Sequence, residues 1–147
     1  MKRVSIQSGD FGPAEELAAL ESLGGGGVAS FTGIVRGGGG LTALELQHYA
    51  AMTADQVGRI VDDAMSRWPL LGVRVIHRFG KLAVGDRIVF VGTASRHRTA
   101  ALESCAFLID WLKSDAPFWK KEHFAGHPSV WVEARPEDET KARDWKQ

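Results

Sequence analysis

Apolar residues recur along the chain with helical spacing in three places. The clearest stripe ends before Pro69 and has a period of 3.6 residues, which predicts a helix with one buried face. The segment Thr53-Ala54-Asp55-Gln56 precedes the stripe and is typical of a capping box, so we expect the helix to begin there. The stripe consists of Val57, Ile60, Val61, Ala64, Met65 and Trp68.

Two further helices are predicted. A short one begins at Pro13, a residue favoured at the first helical position, and Gly24 to Gly27 stop it. A longer one follows Arg98 and ends before Pro117, because proline and the residue before it disfavour helix. The residues expected to be buried on the longer helix are Leu102, Cys105, Ala106, Ile109 and Leu112.

Segments rich in β-branched and alternating apolar residues lie before, between and after the helices. Gly80 and the pair Gly85-Asp86 predict a turn between two of them. The predicted strands are Val4–Gln7, Val28–Val35, Leu44–Gln47, Val73–Phe79, Arg87–Ala94, Trp119–Phe124 and Val130–Glu133. We therefore predict an α+β fold, with a mixed or antiparallel sheet and about three helices, as a single domain over residues 1–147. The charged tail Glu137–Trp145 is compatible with a helix.

Composition narrows the possible functions. The chain has 147 residues and 18 basic against 18 acidic side chains, so its net charge is zero. A neutral chain is a poor candidate for broad, charge-driven binding to nucleic acid or membrane. The basic N-terminus has no apolar run behind it, and no segment reaches the roughly 18 apolar residues of a membrane span. We therefore expect a cytoplasmic protein.

Several candidate sites are weak. Cys105 lies among apolar neighbours and is expected to be a small buried hydrophobe. His48 and His77 share strand faces with leucine or valine, so we interpret them as core histidines. His123 and His127 are close in sequence, but no helix or carboxylate completes a ligand set, and no metal is predicted. The glycine runs lack the residues of a phosphate-binding loop.

The basic residues around the last helix are stronger candidates. Ser95, Arg96, His97 and Arg98 lie where a strand gives way to a helix N-terminus, where free backbone N–H groups favour an anion. Lys113 and Lys120 flank Pro117 and an aromatic pair, Phe118 and Trp119. Desolvation there would lower the pKa of a lysine toward values useful for proton transfer. The alternative is that these residues are ordinary solvated charges. We predict an anion-binding enzyme site.

The chain also resembles a known family, the large, catalytic subunit of molybdopterin synthase. The resemblance spans about Val28 to Arg135, with its motifs in the family's order. The segments that carry it are Ala29–Arg36, Leu44–Tyr49, Met52-Thr53, Arg67–Leu70, Val75–Arg78, Gly85-Asp86, Ser95–Arg98, Trp111–Lys113, Ala116–Glu122 and Trp131–Arg135.

This resemblance implies a sulfurtransferase with an α/β-hammerhead-type fold. Such enzymes convert cyclic pyranopterin monophosphate (precursor Z) into molybdopterin in molybdenum cofactor biosynthesis. The sulfur donor is the C-terminal Gly-Gly thiocarboxylate of a small ubiquitin-like subunit, whose tail inserts into the large subunit. The family assembles as a heterotetramer on a homodimer of large subunits. No metal or organic cofactor is implied for this subunit.

The resemblance also implies site residues. Lys113 and Lys120 correspond to the two essential lysines, expected as general acid/base groups and charge stabilisers. Substrate binding is implied for Arg36, His97, Arg98, Lys120, Lys121, Glu122 and Arg135, with His97 and Arg98 reaching the neighbouring protomer's pocket. The chain departs from many relatives at Gly37–Gly40, where they have a longer polar loop, so recognition through that loop is not expected here.

Two alternatives remain open at this stage. A non-catalytic receptor for a Gly-Gly-tailed protein would bind the tail without forming product, although it would need neither lysine. A binding module for phosphorylated small molecules would use Ser95–Arg98 alone and would need no partner protein.

Overall fold

The computed structural model describes residues 1–48, 50–115, 118–132 and 145. Its elements in chain order are β1 (Lys2–Gln7), α1 (Pro13–Glu21), β2 (Gly27–Ile34), β3 (Leu41–His48), α2 (Ala50–Arg67), β4 (Leu70–Arg78), β5 (Gly80–Ala83), β6 (Arg87–Ser95), α3 (Arg98–Ser114), β7 (Phe118–Phe124) and β8 (His127–Val132). The strands form two four-stranded sheets, and the α+β class with three helices in this part of the chain confirms the prediction.

The first sheet has the strand order β1-β4-β6-β2. Strands β1 and β4 are parallel, and the other two pairs are antiparallel, so this sheet is mixed. Successive residues of a strand point to opposite faces. Accordingly Val75 and Val91 pack with α2 and α3, whereas Ile76 and Phe90 pack with Leu20 of α1. The first sheet is thus covered by helices on both faces.

The second sheet has the order β5-β3-β7-β8 and is antiparallel throughout. Its small core contains Val35, Leu46 and Leu82. Strand β5 was not predicted, because Gly80 and Gly85 indicated only a turn between β4 and β6. Both glycines do have positive φ, but the four residues from Gly80 are long enough to pair with β3 before the chain turns.

Helix α2 begins earlier than the capping box predicted. It starts at Ala50, so Thr53 lies inside the helix and is fully buried. Alanine is the strongest helix former, and Ala50 and Ala51 extend the helix by one turn in the N-terminal direction. The predicted stripe itself is confirmed, because Val57 and Val61 are fully buried and the helix ends before Pro69.

The predicted buried face of helix α3 is confirmed for Cys105, Ile109 and Leu112, which lie in or against the core, but not for the other two residues. Leu102 is 61% exposed and Ala106 is also exposed, which contradicts their assignment to the buried face. Small side chains lie against the sheet instead and allow close packing of the helix. The buried residues are Ala100, Ala101, Ser104, Cys105, Phe107 and Leu108. Ser104 is tolerated there because its hydroxyl donates to the carbonyl of Ala101.

The tail after β8 lies outside the described residues except for Trp145. Its ring packs edge-on against Trp68 and Phe107, and its Nε1 donates to Asp110 over 2.7 Å. The Trp145 carbonyl accepts from Arg67. Trp145 therefore lies in a groove between α2 and α3. Within the described ranges, no helix combines the length and the apolar character needed to cross a membrane.

Candidate active site

A cavity of about 200 Å³ opens between the two sheets, beside the C-terminal end of α3. Strands β2, β3, β4, β6 and β7 contribute to its wall together with α3. The apolar part of the wall consists of Phe31, Ile34, Leu44, Leu46, Ile88, Val89, Val91, Ile109 and Leu112. Its polar side chains are those of Thr32, His77, Lys113 and Lys120. The cavity is thus a narrow apolar space with a few polar groups.

The structure brings Lys113 and Lys120 to this one cavity from two different elements. Lys113 is in the last turn of α3, where the helix dipole favours a cation, and its side chain is exposed. Lys120 is the third residue of β7, paired with Leu46 of β3, and is half-buried. The chain returns from α3 into the second sheet, so the two lysines lie on neighbouring parts of the wall.

His77 is also part of the wall, at the end of β4. It is only 5% exposed, so its interpretation as a buried histidine is confirmed, but its place on the cavity was missed. Its Nδ1 lies 2.9 Å from the carbonyl oxygen of Arg78. A carbonyl only accepts, so Nδ1 carries the hydrogen, and a neutral ring then has its lone pair on Nε2.

Aromatic rings hold the imidazole of His77 in place. Phe118 stacks on it, with centroids 3.8 Å apart and planes at 17°. His48 lies beside Phe118 and Phe79, at 5.8 Å and 4.3 Å between centroids. The Nδ1 of His48 is buried and has no hydrogen-bond partner among the described residues. His48, predicted as a core histidine, therefore belongs to the aromatic layer beside the cavity.

Burial lowers the pKa of His77 from 6.5 to about 4. The hydrogen bond to Arg78 opposes this shift, while the positive charges of Lys120 and Lys113 and the nearby His48 reinforce it. The imidazole is therefore neutral at physiological pH. It contributes no third cation to the cavity.

This pKa predicts a pH-dependent stability. Below pH 6.5 the unfolded chain binds a proton at His77 that the folded chain does not bind until about pH 4. The free energy of unfolding therefore decreases as the pH falls from 6.5 to 4, by about 3 kcal/mol from this group. Chemical denaturation across this range, with wild type and His77→Phe compared, isolates the contribution. Equal pH slopes for the two proteins would contradict it.

Lys121 and Glu122 do not line this cavity. Neighbouring residues of a strand point to opposite faces, so Lys121 points away from the face of Lys120. Its Nζ lies 5.3 Å from the ring centroid of Trp131. Glu122 is opposite Leu44 and Val130 in the second sheet. Their implied part in substrate binding stays a prediction.

Of the predicted anion-binding residues, His97 and Arg98 lie at the far end of α3 from the cavity. Arg36 follows β2 and is exposed, and His97 and Arg98 are exposed at the start of α3. Lys113 lies fifteen positions after Arg98 in α3, which places their backbones about 22 Å apart at roughly 1.5 Å per residue. Arg135 lies outside the described residues. One chain therefore does not bring His97 and Arg98 to its own cavity.

Two other sequence candidates have structural explanations. Burial raises the pKa of the Cys105 thiol to about 11, as suits the small buried hydrophobe that was predicted. His123 Nε2 lies 2.9 Å from Glu45, and hydrogen bonds from Gln47 and His123 lower the pKa of that carboxyl. Among the residues with described positions, no group of three or more potential ligands is placed to hold a metal ion.

Comparisons with known proteins point to one family. Residues 6–115 match the family model of the MoaE protein. The chain is 50% identical to the molybdopterin synthase catalytic subunit of Mesorhizobium japonicum, over 97% of this chain and 92% of that protein. The structure of molybdopterin cofactor biosynthesis protein E from Burkholderia multivorans superposes with a TM-score of 0.85 at 43% identity, covering 100% and 98% of the two chains.

A crystal structure of molybdopterin synthase from Staphylococcus aureus is also similar. It has a TM-score of 0.79 at 27% identity and covers 88% of this chain and 96% of that chain.

Proposed function

Because the chain belongs to the MoaE family, we propose that it is the catalytic subunit of a molybdopterin synthase. In this role it transfers sulfur to cyclic pyranopterin monophosphate and so forms the dithiolene of molybdopterin. The sulfur donor is the C-terminal thiocarboxylate of a small ubiquitin-like subunit. A relative that is named a catalytic subunit implies at least one further subunit, which supports this partner.

The observation that carries the proposal is the position of Lys113 and Lys120 on one narrow cavity. The cavity is smaller than the roughly 300–1,000 Å³ typical of drug-sized ligand sites. A glycine tail has no side chains and fits a narrow space, and its terminal thiocarboxylate is an anion. Two ammonium groups on a largely apolar wall favour such an anion, and the apolar surroundings of the half-buried Lys120 strengthen its part of the attraction.

The two lysines also suit the reaction. A thiocarboxylate sulfur is already nucleophilic, so the protein has little need to activate it. The reaction does need the tail to be positioned, negative charge to be stabilised on oxygen, and protons to be delivered to the oxygens that leave. We assign these tasks to Lys113 and Lys120.

Substrate binding across two protomers is part of the same proposal. Guanidinium groups match phosphate oxygens in a bidentate manner. Arg36 and Arg135 would hold the pterin and its phosphate, and His97 and Arg98 would come from the neighbouring copy of the chain. This requires a homodimer, to which two small subunits add to give a heterotetramer. We place the assembly in the cytoplasm, which fractionation of the source cells tests.

One reconstitution tests the function. The chain is mixed with a thiocarboxylated small subunit and precursor Z, and the dithiolene product is measured by mass spectrometry. We expect product only when all three are present. Tail binding without product would support the receptor alternative instead. Affinity for the phosphorylated pterin with no need of the small subunit would support the small-molecule binding module.

A further inference from the structure

His77 and Thr32 are the polar side chains of the cavity wall that the proposed roles do not use. The Nδ1–H of His77 donates a hydrogen bond to the carbonyl oxygen of Arg78, which leaves the lone pair of Nε2 as an acceptor. In the part of the chain that the structure describes, no hydrogen bond uses Nε2. Because His77 is nearly buried and lines the cavity, the unused acceptor of its ring is available for a bound molecule.

The direction of this acceptor is fixed by the fold. Phe118 stacks on the imidazole of His77 and fixes its plane, and the Nδ1 hydrogen bond fixes the orientation of the imidazole within that plane. Burial keeps the ring neutral, and the neighbouring lysines reinforce this because a third positive charge beside them is unfavourable. His77 therefore offers the cavity a rigid, uncharged acceptor.

The polar side chains of the wall differ in whether they donate or accept hydrogen bonds. Lys113 and Lys120 only donate hydrogen bonds, and the hydroxyl of Thr32 can do either. His77 Nε2 in this tautomer can only accept. A peptide end that enters the cavity brings oxygens for the lysines, but it also brings backbone N–H groups. Each buried N–H that finds no acceptor weakens binding.

We propose that His77 Nε2 accepts a hydrogen bond from a backbone N–H of the glycine tail of the small subunit. The inference rests on the proposed function and extends it by naming the residue that binds the tail's main chain. His77 and the lysines then recognise complementary halves of the peptide group, N–H on one side and oxygen on the other. Such a site selects a bare main chain that ends in an anion.

The first experiment measures the affinity of the small subunit in its carboxylate form, with and without its last two glycines. His77→Phe keeps the ring that stacks on Phe118 and removes the acceptor, whereas His77→Gln restores an acceptor near the position of Nε2. We expect His77→Phe to weaken binding of the full-length partner about tenfold. We expect His77→Gln to recover most of the loss, and the tailless partner to bind all three proteins equally.

The second experiment needs no variant of this chain. A small subunit is prepared by semisynthesis with glycolic acid in place of its last glycine, which replaces one N–H with an ester oxygen. If His77 accepts from this N–H, the ester binds the wild-type protein about tenfold more weakly than the amide form. The same change at the penultimate glycine tests the other N–H, and one of the two positions must show the loss.

Any one of four results would overturn the proposal. The first three are equal affinity of wild type and His77→Phe for the full-length partner, an equal loss of affinity of His77→Phe for the tailless partner, and no loss of affinity for either ester. A rise in KM for precursor Z alone in His77→Phe would assign the acceptor to the pterin and would also overturn it. If the wild-type protein forms product while any of these holds, only this inference fails. If the wild type forms no product, the proposed function fails.

Discussion

Lys120→Ala is expected to reduce the rate of product formation by roughly 10²- to 10³-fold, the loss typical when a group that stabilises developing charge is removed. Lys120 lies on β7 at the wall of the cavity, among apolar side chains that strengthen its charge interactions. Lys113→Ala should cause a loss of similar size. The measurement is single-turnover formation of the dithiolene with saturating precursor Z and thiocarboxylated partner.

Lys81→Ala is the matched control for both lysines. It also removes one positive charge, from β5 of the sheet that contains Lys120. Lys81 is exposed there and does not line the cavity. We expect its turnover to stay within about twofold of wild type, since surface substitutions away from special features have small effects. Turnover of Lys120→Ala or Lys113→Ala at the level of Lys81→Ala would remove both lysines from the mechanism.

The fold was predictable where the sequence has a strong period. The stripe of α2 and the strands around Val75 and Val91 follow from apolar spacing alone, because each element buries one defined face. The buried face of helix α3 was predicted only in part, because the helix carries large apolar residues on more than one side. Leu102 is larger than Ala101, yet Ala101 faces the sheet because a small side chain allows the close approach.

The site was predictable only in part. The chemistry of Lys113 and Lys120 beside aromatic residues suggested a shared function, but spacing could not show that α3 and β7 meet at one cavity. His77 was interpreted as part of the core because a histidine between valine-rich positions is usually that. Its contact with the cavity depends on the second sheet, which lies over the end of β4, and no local pattern contains that information.

Complementation between protomers is the second large effect that we expect. Within one chain, Arg98 lies at the opposite end of α3 from Lys113, about 22 Å along the helix. If His97 and Arg98 serve the cavity of the partner protomer, each active site takes its lysines from one chain and its phosphate ligands from the other. Arg98→Ala and Lys120→Ala homodimers should then both be nearly inactive.

A mixed dimer of one Arg98→Ala chain and one Lys120→Ala chain should recover about half of the wild-type activity. In a two-fold symmetric dimer both defects fall in one of the two sites, which leaves the other intact. The mixed dimer is purified with two different affinity tags and assayed for product.

The control is a mixed dimer of Lys113→Ala and Lys120→Ala. It should stay inactive, because these lysines line the same cavity of the same chain and every site then lacks one of them. Recovery in the control, or none in the Arg98→Ala and Lys120→Ala pair, would contradict a site shared in this way.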